Sequence, residues 1–267
     1  MNKYISFFKL RVCVNLQYRT AALAGIATQF SWGIMNIFVF IALYNTDASA
    51  FPMTMQATST YIWLQQVFLP LFKFWFVEDE VFESISNGNL SYELCRPINL
   101  YNLWFARNLA NRLSKTFLRC SPVLIVSLLL PFPYGMTVPS NLFTFIMFFI
   151  SMIFATIISV SLCMMAYILT FYTLSPIGVK SLFVSIVELF SGAIIPLPFF
   201  PEYLKNIIKY LPFASMQDVP FRIYTNDITG DCILSSIALQ IFWATVLLLL
   251  GKYLCNRSIK KIVLQGG

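Results

Sequence analysis

Long apolar runs separated by short polar connectors set the pattern of this chain. About 18 or more apolar residues in a row are enough for a helix to cross the hydrocarbon of a bilayer. Six segments are predicted to do so: residues 21–44, 57–77, 113–133, 141–170, 177–195 and 232–254. The runs are continuous rather than alternating, which points to helices and away from an outer-membrane barrel. The third has Arg107, Arg112, Lys115 and Arg119 crowding its approach and first half. That part is expected at or below the inner interface, its long side chains snorkelling, with a kink at Pro122. The fourth is longer than a bilayer needs and should tilt or protrude.

Three amphipathic stretches interrupt the runs. Residues 1–19 place Lys3, Lys9, Arg11 and Arg19 among Ile5, Phe8, Leu10 and Val12. This is the pattern of an interfacial helix on the inner leaflet, its cations toward anionic head groups. Residues 78–88 open with Glu78, Asp79 and Glu80, where carboxylates offset the positive end of a helix dipole, and close on Asn87-Gly88, a stop signal. Val81, Phe82 and Ile85 give that helix a small apolar face, and Glu83 extends its acidic side. It has the outline of a docking element, an outline that a solvated surface helix shares. Residues 188–224 start with a carboxylate in an apolar run and break at Pro196, Pro198 and Pro201. A short helix follows, with Tyr203, Leu204, Ile207, Ile208 and Leu211 on one face and Glu202, Lys205, Asn206 and Lys209 on the other. The expected shape is a helix that nearly crosses, stops at proline and turns back along the outer interface.

Polar residues inside the spans fall on stripes. Gln29, Trp32 and Asn36 share a face of the first; Tyr61, Gln65, Phe68 and Phe72 share one of the second, with Gln66 pointing elsewhere. Glutamine in hydrocarbon either joins helices or lines a wet cavity. Ser181, Ser185, Glu188 and Gly192 form a stripe on the fifth. An intramembrane carboxylate is costly unless protonated, paired or wet, so Glu188 is a functional candidate, with a structural bond to a neighbouring helix as the rival reading.

Composition agrees with an all-α polytopic membrane protein: 58% of residues are hydrophobic and 11% charged, against about 25% charged in soluble domains. Of the 18 lysines and arginines, only Lys205, Lys209 and Arg222 fall on the outer faces of this six-span topology. The positive-inside rule then puts both termini and the acidic helix in the cytoplasm and the proline-broken segment outside. The net charge of +7 needs only that rule and no nucleic-acid partner. The N-terminus lacks the short apolar core of a cleavable signal. Six cysteines without metal spacing predict neither a disulfide framework nor a metal site, and the absence of histidine removes the commonest ligand and acid–base group. No catalytic residue is expected: no nucleophile has an evident base, and no glycine-rich phosphate loop ending in Gly-Lys-Ser/Thr is present to bind ATP.

The basic first helix, six spans, the acidic helix after the second, the SGAIIPLPFFP stretch (191–201) before LPFA, and SNGNLSYELCRPINLY (86–101) together resemble permease subunits of type-2 ABC transporters. The likeness is to a bacterial branch of uncharacterised or multidrug type. It covers essentially the whole chain and is most specific over residues 85–97 and 191–220. It implies a single permease domain over residues 1–267 in the bacterial cytoplasmic membrane, with membrane lipid around it. Glu78, Asp79, Glu80, Val81, Phe82, Glu83, Ile85 and Gly88 would form the coupling helix that docks on a separate ATPase subunit, which would hold ATP and Mg. The second and fifth spans would face each other across the translocation pathway. With the polar stripes above, Gln29, Asn36, Tyr61, Gln65, Phe68, Ser185 and Glu188 become pathway candidates, and Pro196, Pro198 and Pro201 the extracellular gate. A second permease subunit, identical or not, would complete the pathway, and the resemblance implies export; a wall rich in Phe, Ile and Met suits an amphipathic or lipophilic substrate, although any bundle core contains these residues. The alternative is a proton-coupled secondary transporter using Glu188; such folds often carry internal repeats, and none is visible.

Overall fold

The computed structural model describes residues 2–17, 19–87, 90–95, 97–173 and 175–260, and every regular element among them is helical. α1 (Asn2–Leu16) leads into α2 (Arg19–Thr46), and a turn capped by Asp47 returns the chain to α3 (Met55–Val67), whose first turn is capped by the Thr54 hydroxyl. The apolar run at 57–77 is not one helix. α3 ends at Val67, α4 (Leu69–Phe72) adds a single turn, and a 3-10 turn (Phe74–Phe76) follows. Pro70 explains the first break, because it lacks an N–H and its ring opposes the carbonyl four residues earlier.

The short acidic helix α5 (Asp79–Ser86) and α6 (Leu90–Leu94) precede two long helices, α7 (Leu100–Leu129) and α8 (Leu142–Thr173). Pro122 lies within α7 without ending it. α9 (Pro176–Phe190) stops before Pro196, Pro198 and Pro201, and the segment after them holds α10 (Glu202–Ile208) and α11 (Asp218–Tyr224). Neither α6 nor α11 is anticipated by the apolar pattern. The last helix, α12 (Asp231–Ile259), lies along α8, where Ser151 Oγ donates to Gln240 Oε1 at 2.9 Å and Ser258 Oγ to the Tyr172 hydroxyl at 3.0 Å.

Among the described residues, three helices, at 22–46, 142–173 and 231–259, are long and apolar enough to cross a membrane. α3 and α9, at 13 and 15 residues, are shorter than the ~20 that a crossing takes, and α7 carries four cations along its 30 residues. α1 runs beside the first half of α7: the Asn99 N–H donates to the Tyr4 hydroxyl at 3.0 Å, and Asn15 Nδ2 to Asn111 Oδ1 at 3.4 Å. Its free face still shows Ile5, Leu10 and Val14 beside Lys3 and Lys9, the mixture suited to a membrane surface.

Buried apolar side chains gather into two main clusters, one around Phe74, Trp104, Ile158 and Ala244, the other around Phe72, Val123, Ala155 and Ile237. The boundary between them falls between Phe72 and Phe74 in the broken segment and between Ala155 and Ile158 on α8. Polar side chains meet at that level.

Candidate functional site

The end of α4 leaves carbonyl groups that a continuing helix would have satisfied. In hydrocarbon each would cost several kcal/mol. Arg112, fully buried on α7, takes three of them: Nη1 donates to the carbonyls of Leu71 at 2.6 Å, Lys73 at 3.3 Å and Pro70 at 3.5 Å. Nη2 donates to Cys163 Sγ at 3.0 Å, and Ser159 Oγ adds a bond to the Leu71 carbonyl at 3.3 Å. Carbonyls at a helix C-terminus carry partial negative charge, so a guanidinium suits them electrostatically as well as geometrically. Arg112 therefore does not snorkel as its run of cations suggests; it turns inward. Its neighbours also find partners in the fold. Arg107 pairs with Glu78 at 3.0 Å and with Glu80, while Lys115 and Arg119 lie 5.2 and 5.5 Å from the centre of the Phe76 ring.

Lys73, the residue that closes α4, reaches α9. Its Nζ lies 3.1 Å from Glu188 Oε1, the two side chains being 20% and 13% exposed. The carboxylate that stands out in the fifth apolar run is thus paired with a cation that the break in the second one presents. The rest of that stripe does not converge on it: Ser185 is exposed and donates to the Ser181 carbonyl of its own helix at 3.0 Å. α9 buries only Val179 and Val187 and is otherwise held by side contacts, among them Lys180 to Asp79 at 2.6 Å and the stacked rings of Phe183 and Phe74. Removing one partner of the half-buried Lys73–Glu188 pair strands the other. Lys73→Met and Glu188→Gln should therefore each destabilise the protein, and the double variant should recover ~0.5–3 kcal/mol relative to additivity in an unfolding cycle. Strict additivity would show that the pair does not form.

A second polar cluster sits beyond α9 and centres on Asp218, 1% exposed at the start of α11. Its Oδ1 accepts from the Tyr61 hydroxyl at 2.9 Å and from the Leu197 N–H at 3.2 Å; its Oδ2 faces Arg222 Nη1 at 3.3 Å. Arg222 Nε also donates to Asp227 at 2.5 Å. Burial pushes the Asp218 carboxyl above the usual carboxylate range, and Arg222, Tyr61 and the Leu197 N–H pull it back. Against this cluster lies Gly192, at φ +77°, whose carbonyl accepts from Gln65 Nε2 at 2.6 Å and faces the Tyr61 hydroxyl at 3.4 Å. A Cβ at residue 192 would come within 2.6 Å of the Tyr61 hydroxyl, so only glycine serves both the backbone angle and the space. Pro196 and Pro198 are buried beside Leu197, and Pro201 is exposed.

At the opposite end, α5 directs Val81, Phe82 and Ile85 into the bundle, the Phe82 ring 4.8 Å from that of Tyr167. The same Tyr167 hydroxyl accepts from the Glu78 N–H at 2.9 Å and lies 3.1 Å from Asn108 Nδ2. Glu78, Glu80 and Asp79 are held by Arg107 and Lys180, whereas Glu83 is exposed and makes no ion pair among the described residues. Gly88 lies outside the described residues.

The predicted pathway residues therefore separate. Tyr61 and Gln65 meet Gly192, and Glu188 meets Lys73. Gln29 instead joins α2 to α3, donating to the Gln66 carbonyl at 2.9 Å. Asn36 is half-buried, and Phe68 packs its ring near Phe148 and Phe221. Asp218, Arg222, Lys73 and Arg112 were not singled out as site residues by the sequence pattern. The available signals were a carboxylate and an arginine four apart in an apolar stretch, and a single lysine inside the second apolar run. Among the described residues no group of three or more His, Cys, Asp or Glu could hold a metal ion.

A family model described as an ABC-2 family transporter protein matches residues 30–266. The chain belongs to the ABC-2 transporter family. No curated protein matches it. Membership makes it a type-2 ABC permease, a membrane subunit rather than an enzyme. The family match spans the broken second run, the Lys73–Glu188 pair, the Asp218 cluster and the acidic α5 alike.

Proposed function

We propose that the chain is the permease subunit of an ABC exporter in the bacterial cytoplasmic membrane, with both termini in the cytoplasm. It works with a separate ATPase subunit, which binds ATP and Mg, and with a second permease subunit. In this reading residues 1–267 form one domain of six crossings: α2, α3 with the turns after it, α7, α8, α9 with the residues after it to 195, and α12. The segment from Gly192 to α11 closes the outer end, with Pro196, Pro198 and Pro201 in its gate. The cargo is amphipathic or lipophilic. Family membership favours this over a proton-coupled carrier using Glu188.

The observation that carries the reading, beyond the family match, is that α5 spends its apolar face inside the bundle while presenting an acidic face outward. Val81, Phe82 and Ile85 then bind the coupling helix to the permease, and Glu83 is the residue left for a partner. α9 supplies the link: Asp79–Lys180 ties it to α5, Lys73–Glu188 to the broken run, and Gly192 to the outer cluster.

Glu83 is the clean probe, because reversing Glu78, Asp79 or Glu80 would also break pairs within the fold. Glu83→Lys should leave the unfolding temperature unchanged and weaken ATPase binding about tenfold, equivalent to ~1.4 kcal/mol, with ATP-driven transport falling alongside. Undiminished ATPase binding and transport would remove α5 from the docking surface. The number of permease and ATPase chains that purify together tests the assembly.

A further inference from the structure

The inner face holds a cleft that export through the bundle does not employ. Its volume of about 360 Å³ falls in the ~300–1,000 Å³ range of small-molecule sites, and it opens between α1, the start of α5 and α7. Arg11 and Asn15 line it from α1, and Asn111 and Lys115 from α7; Glu78, Asp79 and Glu80 close the remaining side. The three carboxylates are already matched. Arg107 holds Glu78 and Glu80, Lys180 holds Asp79, and Arg11 stands 3.6 Å from Glu80. Lys115 makes no ion pair among the described residues, its Nζ resting 5.2 Å from the Phe76 ring centre. The side-chain amides of Asn15 and Asn111 lie beside it, joined to one another at 3.4 Å. Each amide nitrogen carries two N–H groups, and with Asn111 Nδ2 also donating to the Phe76 carbonyl at 3.3 Å, one N–H remains on each. With Arg107 and Lys180 counted, four cations (Arg11, Arg107, Lys115, Lys180) meet three carboxylates (Glu78, Asp79, Glu80), so the positive charge left over is that of Lys115, with amide donors beside it, although acids line one wall. Val14, on its edge, and Leu10, one helical turn earlier, are 38% and 59% exposed, so apolar surface borders the opening.

We propose that this cleft binds a phosphate-bearing headgroup, with Lys115 and Arg11 on the phosphate oxygens, the asparagine amides beside them, and Val14 and Leu10 against the adjoining chain. A phosphate takes charge-assisted bonds from both kinds of cation, and Glu80 keeps Arg107 when Arg11 turns to the phosphate. The proposal rests on the membrane placement of the chain and not on its ATPase partner. The phosphate belongs either to an inner-leaflet phospholipid or to a free phosphate ester.

The test uses the purified full chain in a neutral detergent, its unfolding temperature being measured with phosphatidylglycerol, with diacylglycerol or with inorganic phosphate. Phosphatidylglycerol should raise it by several degrees and diacylglycerol should not, since a bound molecule stabilises only the fold that holds it. An equal rise with inorganic phosphate assigns the cleft to free phosphate; a rise with phosphatidylglycerol alone assigns it to the lipid. Lys115→Met and Arg11→Gln should each remove most of the shift, Arg11→Gln deciding the matter if Lys115→Met does not fold, whereas Lys9→Gln on the free face of α1 should keep it. The proposal fails if neither phosphate source raises the temperature. It fails equally if diacylglycerol does as well as phosphatidylglycerol, if the shift survives in Arg11→Gln, or if Lys9→Gln abolishes it.

Discussion

Replacing Arg112 with methionine should destabilise the protein by ~3 kcal/mol, because each buried carbonyl left without a partner costs ~1–3 kcal/mol. Methionine fills most of the arginine's volume, so the loss reports hydrogen bonding rather than a cavity. The carbonyls of Pro70, Leu71 and Lys73 would lose the guanidinium that now binds all three, and at that depth water is a poor substitute. Arg112→Lys should recover less than half of the loss, because an ammonium is a compact point charge without the planar fork. Unfolding in detergent, followed by protease resistance, measures both. Wild-type stability in Arg112→Met would mean that the break after α3 is held by something other than this side chain.

Asp218→Ala should cost ~3–5 kcal/mol, for it strands the Tyr61 hydroxyl and the Leu197 N–H and takes one of two carboxylates from Arg222. Tyr61→Phe removes the bond to Asp218 and the longer contact with the Gly192 carbonyl, leaves Arg222 and the Leu197 N–H on the carboxylate, and should cost only ~1–2 kcal/mol. Because the two share the Tyr61–Asp218 bond, their double variant should lose less than the sum. The pH dependence has a definite sign. Burial raises the Asp218 carboxyl above its value in the unfolded chain, so the folded protein takes up a proton there more readily. The stability linked to this group is fully present below the ordinary carboxylate value and is lost as pH rises through the raised one. Asp218→Asn cannot titrate and should flatten that part of the stability profile. An unchanged slope would place the titrating group elsewhere.

The sequence made the long apolar helices legible, since α2, α8 and α12 are continuous runs with polar ends, and it located α5 and α10 by their two-faced patterns. It was silent on what each face would meet. Val81, Phe82 and Ile85 could as well have waited for a partner subunit as for Tyr167, and no spacing rule separates the two. Arg112 looked like its neighbours Arg107, Lys115 and Arg119 because the property that sets it apart, a set of carbonyls opened some 40 residues earlier, is tertiary. Glu188 was conspicuous as a lone carboxylate; Lys73 was not, because a cation near the end of an apolar run is commonplace. Asp218 was hidden by the prolines around it, which read as loop and gave no reason to expect a buried carboxylate.

The broken second run bears on how this bundle can deform. A close-packed interior resists bending because shifting one apolar layer past another opens voids. Between the two apolar clusters Phe154 packs against both, but the polar contacts at that level are a guanidinium on carbonyls and a lysine on a carboxylate. Such groups can pass from one protein acceptor to a neighbouring one without leaving a hole. Amide protons in residues 68–76 should then exchange faster than those of α8 alongside, marking a flexible waist between two stiff halves.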